Sequence, residues 1–194
     1  MKLETKRLII RTPKTSDWKE LVKEIGDKRI TKFLSNVPNP YKKKDAFWWI
    51  NKSKKSSRKK KPSDYGFVII LKSENKLIGG SGLHQIDHFT KKATTGSWIA
   101  RDYWKKGYVT EAKIAINDFA FNKLKFVRLG TEAFTNNIAS NTMIKKMGYK
   151  YEGNQRKAHR SKATKKWHDV NLYGMLKEDW EKIKPLLLRK LKKK

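Results

Sequence analysis

Leu8-Ile9-Ile10, set between Lys6-Arg7 and Thr12-Pro13, is the first apolar run and predicts a short strand. Ser16 and Asp17 then precede Trp18, Leu21, Val22 and Ile25, which recur at i, i+3, i+4 and i+7. That spacing lays one apolar stripe along a helix with a polar N-cap, and Gly26 fits its end. Asp27 to Leu34 adds a turn or two before Pro38-Asn39-Pro40-Tyr41 breaks the chain, and Asp45 opens a helix through Phe47, Trp48 and Ile50. Three strand patterns follow, Tyr65 to Leu71, Lys76 to Leu83 and Thr94 to Ile99, joined by hairpin-like stretches at Ser73-Glu74-Asn75 and Asp87 to Lys92. From Tyr108 the period turns helical, with Ala112, Ile116, Phe119, Ala120 and Leu124 on one stripe. Phe126 to Phe134 is a strand, Asn137 opens a helix closed by Gly148, and Tyr149 to Glu152 and Val170 to Leu176 read as strands flanking a basic loop. Lys177 onward reads as helix with a break at Pro185. A meander followed by β-α-β-α predicts an α+β fold: a mixed, mostly antiparallel sheet flanked by helices.

Length, 194 residues, fits a single domain over 1–194, with a core of about 6–180. The apolar share is low, 37%, yet 7 Trp, 8 Phe and 7 Tyr supply bulk for a core and argue against disorder. Charge changes the picture more. Lys and Arg number 48 against 18 Asp and Glu, a net +30. Such a field attracts polyanions, phosphorylated cofactors and anionic surfaces. Seven of the ten residues from Lys52 to Lys61 are basic, so 52–62 reads as a solvated surface loop, and 181–194 as a basic C-terminal helix or tail. Zero Cys excludes disulfides, cysteine nucleophiles and thiolate metal sites, and the four His show no ligand spacing, so no metal is expected. With no apolar signal stretch at Met1-Lys2-Leu3-Glu4, a cytoplasmic protein is expected, with no membrane partner.

Two segments carry candidate chemistry. Trp104-Lys105-Lys106-Gly107-Tyr108-Val109-Thr110-Glu111-Ala112 lies between a strand and a striped helix. A Gly at a helix entry lets backbone amides approach an anion, the helix dipole favours phosphate there, and Lys105 and Lys106 add charge. A simple turn explains that segment equally well. The second runs from Asn136-Asn137 through Ser140 to Gly148, which capping alone also explains. The ordered pair resembles motifs A and B of the GCN5-related N-acetyltransferase (GNAT) superfamily, in its RimJ/RimL-like branch. Thr5 to Arg11, the Pro38-Asn39-Pro40-Tyr41 turn, Asn137-Ile138-Ala139-Ser140 and Asp169 to Trp180 extend the likeness over nearly the whole chain.

The resemblance implies a V-shaped splay in the sheet and transfer of acetyl from acetyl-CoA to an amine. It implies pantetheine along the backbone of Trp98, Ile99, Ala100 and Arg101, and pyrophosphate on the amides of Lys105, Lys106, Gly107, Tyr108, Val109 and Thr110, with Asn137 holding the arm. The motif B Tyr that many relatives use as proton donor corresponds to Ile144 here. The branch suggests Ser140 instead, which a first-turn serine would also explain. The usual Glu before the Gly of the diverging strand is Thr95, so Glu132 is the substitute for orienting the amine, unless it merely pairs with a lysine; His84 is a further candidate. An α-amine of pKa ~7.8 is roughly 30% neutral near pH ~7.4, a lysine only about 0.1%, a gap of roughly 3.5 kcal/mol. A site without a strong base therefore suits a protein N-terminus, such as that of a ribosomal protein, with the lysine-rich surface meeting ribosome or RNA. A small-molecule amine acetyltransferase and a catalytically weak ribosome- or RNA-associated protein that keeps the fold are the alternatives.

Overall fold

The computed structural model describes residues 1–192. Strands β1 (Lys2–Glu4) and β2 (Leu8–Arg11) lead through a 3-10 turn into helices α1 (Trp18–Ile25), α2 (Lys28–Thr31) and α3 (Lys43–Ser57). The meander β3 (Tyr65–Leu71), β4 (Lys76–Asp87) and β5 (Lys92–Ile99) follows. Helix α4 (Tyr108–Asp118), extended by a π-turn over Phe119–Lys123, leads to β6 (Arg128–Phe134) and α5 (Ile138–Lys146). The hairpin β7 (Lys150–Arg160) and β8 (Trp167–Leu176) and helix α6 (Lys177–Lys192) complete the order. All eight strands form one sheet in the order β1-β2-β3-β4-β5-β6-β8-β7, antiparallel except where β5 meets β6. The α+β expectation holds.

Each face of the sheet has its own core because strand side chains alternate. Phe67 and Ile69 of β3 pack with Ala112, Ile116, Phe119 and Ala120 of the α4 stripe, and Trp180 joins that layer. Val68 and Ile70, one step out of phase, pack with Leu21 of α1 and Ala46 and Ile50 of α3.

Three expectations need correction. The lysine block is not a loop throughout, since α3 continues to Ser57. Ser53 and Ser56 are buried on its inner side, and the Ser56 hydroxyl donates to the Asp64 carbonyl at 2.8 Å. Small residues at i+3 of Ile50 let the helix lie close to the sheet while its lysines, good helix formers, stay in solvent. The basic stretch after Glu152 is a hairpin, with pairing carried out to Arg160 opposite Trp167. Most of β7 is exposed on both faces, so no apolar alternation marks it. Helix α6 passes through Pro185 unbroken, because Leu187 beyond it is 5% exposed and its burial, with Ile183 and Leu191 packed alongside, outweighs one lost hydrogen bond. Of the basic tail, Lys193 and Lys194 lie outside the described residues.

Strand β4 carries Gly79-Gly80-Ser81-Gly82, which leaves room for β5 side chains to lie across it. A Cβ on Gly80 would fall 2.6 Å from Trp98 Nε1. Gly80→Val is therefore expected to destabilise by about 1–3 kcal/mol in urea unfolding, and Trp98→Leu in the same chain to restore part of the loss.

Candidate active site

Strands β5 and β6 run parallel for three rungs only, Lys92 opposite Arg128, Ala93 opposite Leu129 and Thr94 opposite Gly130. Beyond that point β5 stays with β4, Ile99 opposite Gly79, while β6 stays with β8 as far as Phe134 opposite Val170. Each strand is held by its outer neighbour, so the sheet opens into a fork. At its apex the Thr131 hydroxyl donates to the Thr95 carbonyl at 2.9 Å, a side chain standing in for the missing rung.

Backbone groups past the apex alternate in direction. The Gly96 carbonyl accepts from Ser81 on the β4 side, and the Ala100 amide donates to the Ile78 carbonyl at 2.8 Å. Thr95, out of phase with these, faces β6. The same phase turns Ser97 and Ile99 toward the fork and Trp98 toward β4. Of the four residues nominated for the cofactor arm, Ile99 thus presents its backbone to the opening, and Ala100 has no amide left to give. The Ile99 carbonyl already accepts from Trp104 Nε1 at 2.7 Å. Arg101 begins a 3-10 turn (Arg101–Tyr103) and is exposed. Ser97, which the sequence reading did not name, shares the phase of Ile99; the pairing of β5 with β4 sets that phase, and no local pattern marks it.

The loop before α4 is shaped by a single glycine. Gly107 has φ 81°, a left-handed conformation that costs a β-carbon dearly, and is the N-cap of α4. Among the described residues no protein acceptor takes the amides of Lys105, Lys106, Gly107, Tyr108, Val109 or Thr110; the first amide bonded back is Glu111, to the Gly107 carbonyl at 3.0 Å. Six free amides and the positive end of a helix fit a diphosphate.

This loop is anchored from the N-terminal segment. Glu111, 4% exposed, accepts from the Thr5 hydroxyl at 2.6 Å, the Arg7 amide at 2.9 Å and Arg7 Nε at 2.6 Å. Arg7 also donates to the Lys106 carbonyl at 3.1 Å and lies 4.5 Å over the Tyr108 ring. Burial pushes the Glu111 carboxyl up, but the bonds from Thr5 and Arg7 and the Arg7 charge outweigh it and hold the carboxyl below its ordinary value.

On α5, Asn137 caps the helix, accepting from the Ser140 amide at 3.2 Å. The Ser140 hydroxyl itself has no hydrogen-bond partner among the described residues, so capping does not occupy it. Asn141, also unforeseen, is 8% exposed: its amide donates to the Phe134 and Asn137 carbonyls, and its oxygen accepts from Tyr173 at 2.7 Å and Asn171 at 3.0 Å. It ties α5 to both β6 and β8.

A groove of about 1220 Å³ threads the fork, from Trp48 and Trp49 of α3 on one face to Lys113 of α4 and Ser140 of α5 on the other. Glu132 faces it and pairs with His159 Nε2 at 2.6 Å, an imidazole rather than a lysine. His84 lines it as well, its Nδ1 3.5 Å from Asp64. Burial drives the His84 imidazole below its ordinary value despite the pull of Asp64. Lys113, absent from the sequence reading, is 2% exposed and donates to Thr95 Oγ1 at 3.0 Å. Its spacing to Ile116 and Ala120, i+3 and i+7, marked it as inward-facing. The groove walls carry four carboxylates (Asp45, Asp64, Glu132, Glu152) and four basic side chains (Lys52, Lys113, Arg128, Lys162). Locally the strong positive excess of the chain is gone.

The family model described as "Acetyltransferase (GNAT) domain" matches residues 7–150. The uncharacterized N-acetyltransferase YnaD of Bacillus subtilis is 28% identical over 181 residues, 93% of this chain and 99% of its own. The solved acetyltransferase (GNAT family) from Bacillus anthracis superposes with a TM-score of 0.78 at 24% identity, over 92% of this chain and 99% of its own. RimL, the ribosomal L7/L12 alpha-N-protein acetyltransferase, superposes at 0.79 with 16% identity, over 91% and 94%. The chain belongs to the GNAT acetyltransferase family and is an acetyl-CoA-dependent N-acetyltransferase. The fork, the free amides and the motif order agree with that family. No helix among the described residues is long and apolar enough to cross a membrane.

Because the Glu111 carboxyl titrates below its ordinary 4.5 in the folded chain, its stabilisation is complete above that pH and fades as pH falls through the folded value. Glu111→Gln is expected to lose about 1–3 kcal/mol at neutral pH in urea unfolding, and the gap to wild type to narrow as pH falls through the lowered folded-state value.

Proposed function

We propose that this enzyme acetylates the α-amine of a protein N-terminus, with a ribosomal protein as the target. The observation that carries the reading is the character of the proton acceptors in the groove: both are imidazole–carboxylate pairs, Glu132 with His159 and Asp64 with His84. Neither pair is a strong base that could strip a lysine amine at ~10.4, whereas an α-amine at ~7.8 is already partly neutral near pH ~7.4.

Acetyl-CoA, when bound, supplies an activated acetyl thioester. The amides from Lys105 to Thr110 hold its diphosphate, the open-side backbone of Ser97 and Ile99 lines its arm, and Asn137 steadies it from α5. Trp98, Ala100 and Arg101 support that edge through packing and turn geometry rather than through free amides. Glu132 orients the incoming amine from the opposite strand of the fork, and Ser140 offers its uncommitted hydroxyl beside the reacting centre.

The basic surface supports the target. Lys52 of α3 and Lys162 of the β7–β8 turn both border the groove, and each belongs to a strongly basic segment. A polyanion such as ribosomal RNA held there brings a protein terminus to the fork. The four groove carboxylates favour a second reading, a small cationic amine as acceptor, because the repulsion expected from the net charge is cancelled locally.

Peptides with a free N-terminus are expected to release CoA at least about tenfold faster than N-terminally blocked peptides carrying lysine, and faster than polyamines. Equal rates on the blocked peptides would sink the α-amine reading, and preference for polyamines would install the second. CoA binding without turnover on any amine would mean a catalytically weak protein. Glu132→Gln is expected to lower kcat about 10–100-fold with acetyl-CoA affinity unchanged. Ribosome affinity is expected to fall steeply with salt; a flat response would remove the docking role.

A further inference from the structure

We propose that Lys113 is the proton donor to the departing thiolate, a catalytic residue one position beyond motif A. Its amine sits at the apex of the fork. Thr95, its hydrogen-bond partner at 3.0 Å, is the first residue after the last rung between β5 and β6, Thr94 opposite Gly130. The side chain is 2% exposed, yet it lines the groove with Thr95, Ser140 and Ile144.

Among the described residues no carboxylate pairs with it; the Tyr149 ring centroid lies 5.9 Å away, and the His84 imidazole across the sheet feels its charge. A buried ammonium without a counterion costs stability, and structure alone gives no return for it. Negative charge developing at the apex would supply the missing partner. Burial takes the Lys113 pKa down to about 8, so the group is mostly protonated at neutral pH and acidic enough to protonate a thiolate, whose parent thiol ordinarily titrates near ~8.5.

Its neighbours cannot take the role. The Tyr149 hydroxyl donates to Asn117 at 3.1 Å, and burial pushes its pKa up to about 12. His84, across the sheet on β4, is held below its ordinary value by burial and is the poorer cation. Glu132 and Arg128 stand on the other face of β6, out of phase with Thr131. The Ser140 hydroxyl can hydrogen-bond a sulfur but carries no charge to neutralise one. Ile144, where relatives have a tyrosine, offers no proton.

In balance, the amine nitrogen bonds the acetyl carbon as the carbon–sulfur bond breaks, sulfur takes the Lys113 proton, and Lys113 recovers through water the proton the amine gives up. The inference rests on the family's acetyl-CoA chemistry and is independent of which amine is the acceptor.

The test titrates the thiol of CoA bound to wild type, Lys113→Met and Lys113→Gln, followed by thiolate absorbance. The wild-type complex is expected to titrate at least about one unit lower than either variant. In turnover, both variants are expected to lose about 100-fold with acetyl-CoA but only a few-fold with an acetyl thioester of an acidic aryl thiol, whose departure needs no proton. Equal thiol titrations in all three proteins, or equal losses with both thioesters, would overturn the role. Failure of the wild type to bind CoA would overturn the underlying reading as well.

Discussion

Three rungs of parallel pairing hold the two halves of this sheet together, and their ending after Thr94 and Gly130 creates the site. Strand β5 follows β4 and β6 follows β8, both in long antiparallel ladders, so the twist of the sheet separates them. The cost of an opened sheet is a set of backbone groups without partners in a dry region. The protein offsets part of it locally: Thr131 takes the Thr95 carbonyl and Trp104 the Ile99 carbonyl. The groups that remain are a strand edge waiting for a ligand with amide chemistry of its own.

The loop before α4 depends on a second constraint, since among the described residues its amides have no protein acceptor. Such a loop has no ladder to fix it, and the rigidity comes from outside. Glu111 gathers Thr5 and Arg7, and Arg7 returns to the Lys106 carbonyl and the Tyr108 ring. The N-terminal strand segment is thereby part of the binding loop, which explains why its residues belong to the resemblance. Asn141 does the equivalent work for α5, fastening motif B to β6 and β8 through three hydrogen bonds.

Charge is partitioned. The overall excess of 30 positive charges governs how the molecule meets a polyanion at a distance. Within the groove, carboxylates and basic groups are equal in number, and two of the carboxylates face imidazoles. Long-range attraction and local acceptance of a cationic amine therefore do not conflict. Lys113 stands apart: it is the one lysine or arginine buried among the described residues, with no carboxylate beside it.

Strong periodicity made most of the fold legible: the α4 stripe, the three-strand meander and the Asn137-to-Gly148 helix stand where the pattern put them. The hairpin from Lys150 to Leu176 was only half visible, because a strand wet on both faces has no alternation, and the helical end of the lysine block was masked by its charge. The motifs located the loop before α4 and the helix α5. The sequence alone determined most of the helices and strands and the glycine entry to α4, because capping, glycine conformation and apolar spacing act between near neighbours. Tertiary structure decided which backbone groups of β5 face the opening, that Glu132 meets His159, and that Lys113 lies beneath Thr95. Those facts depend on strand phase and on packing between segments far apart in the chain, and no local pattern encodes which distant partner a side chain will find.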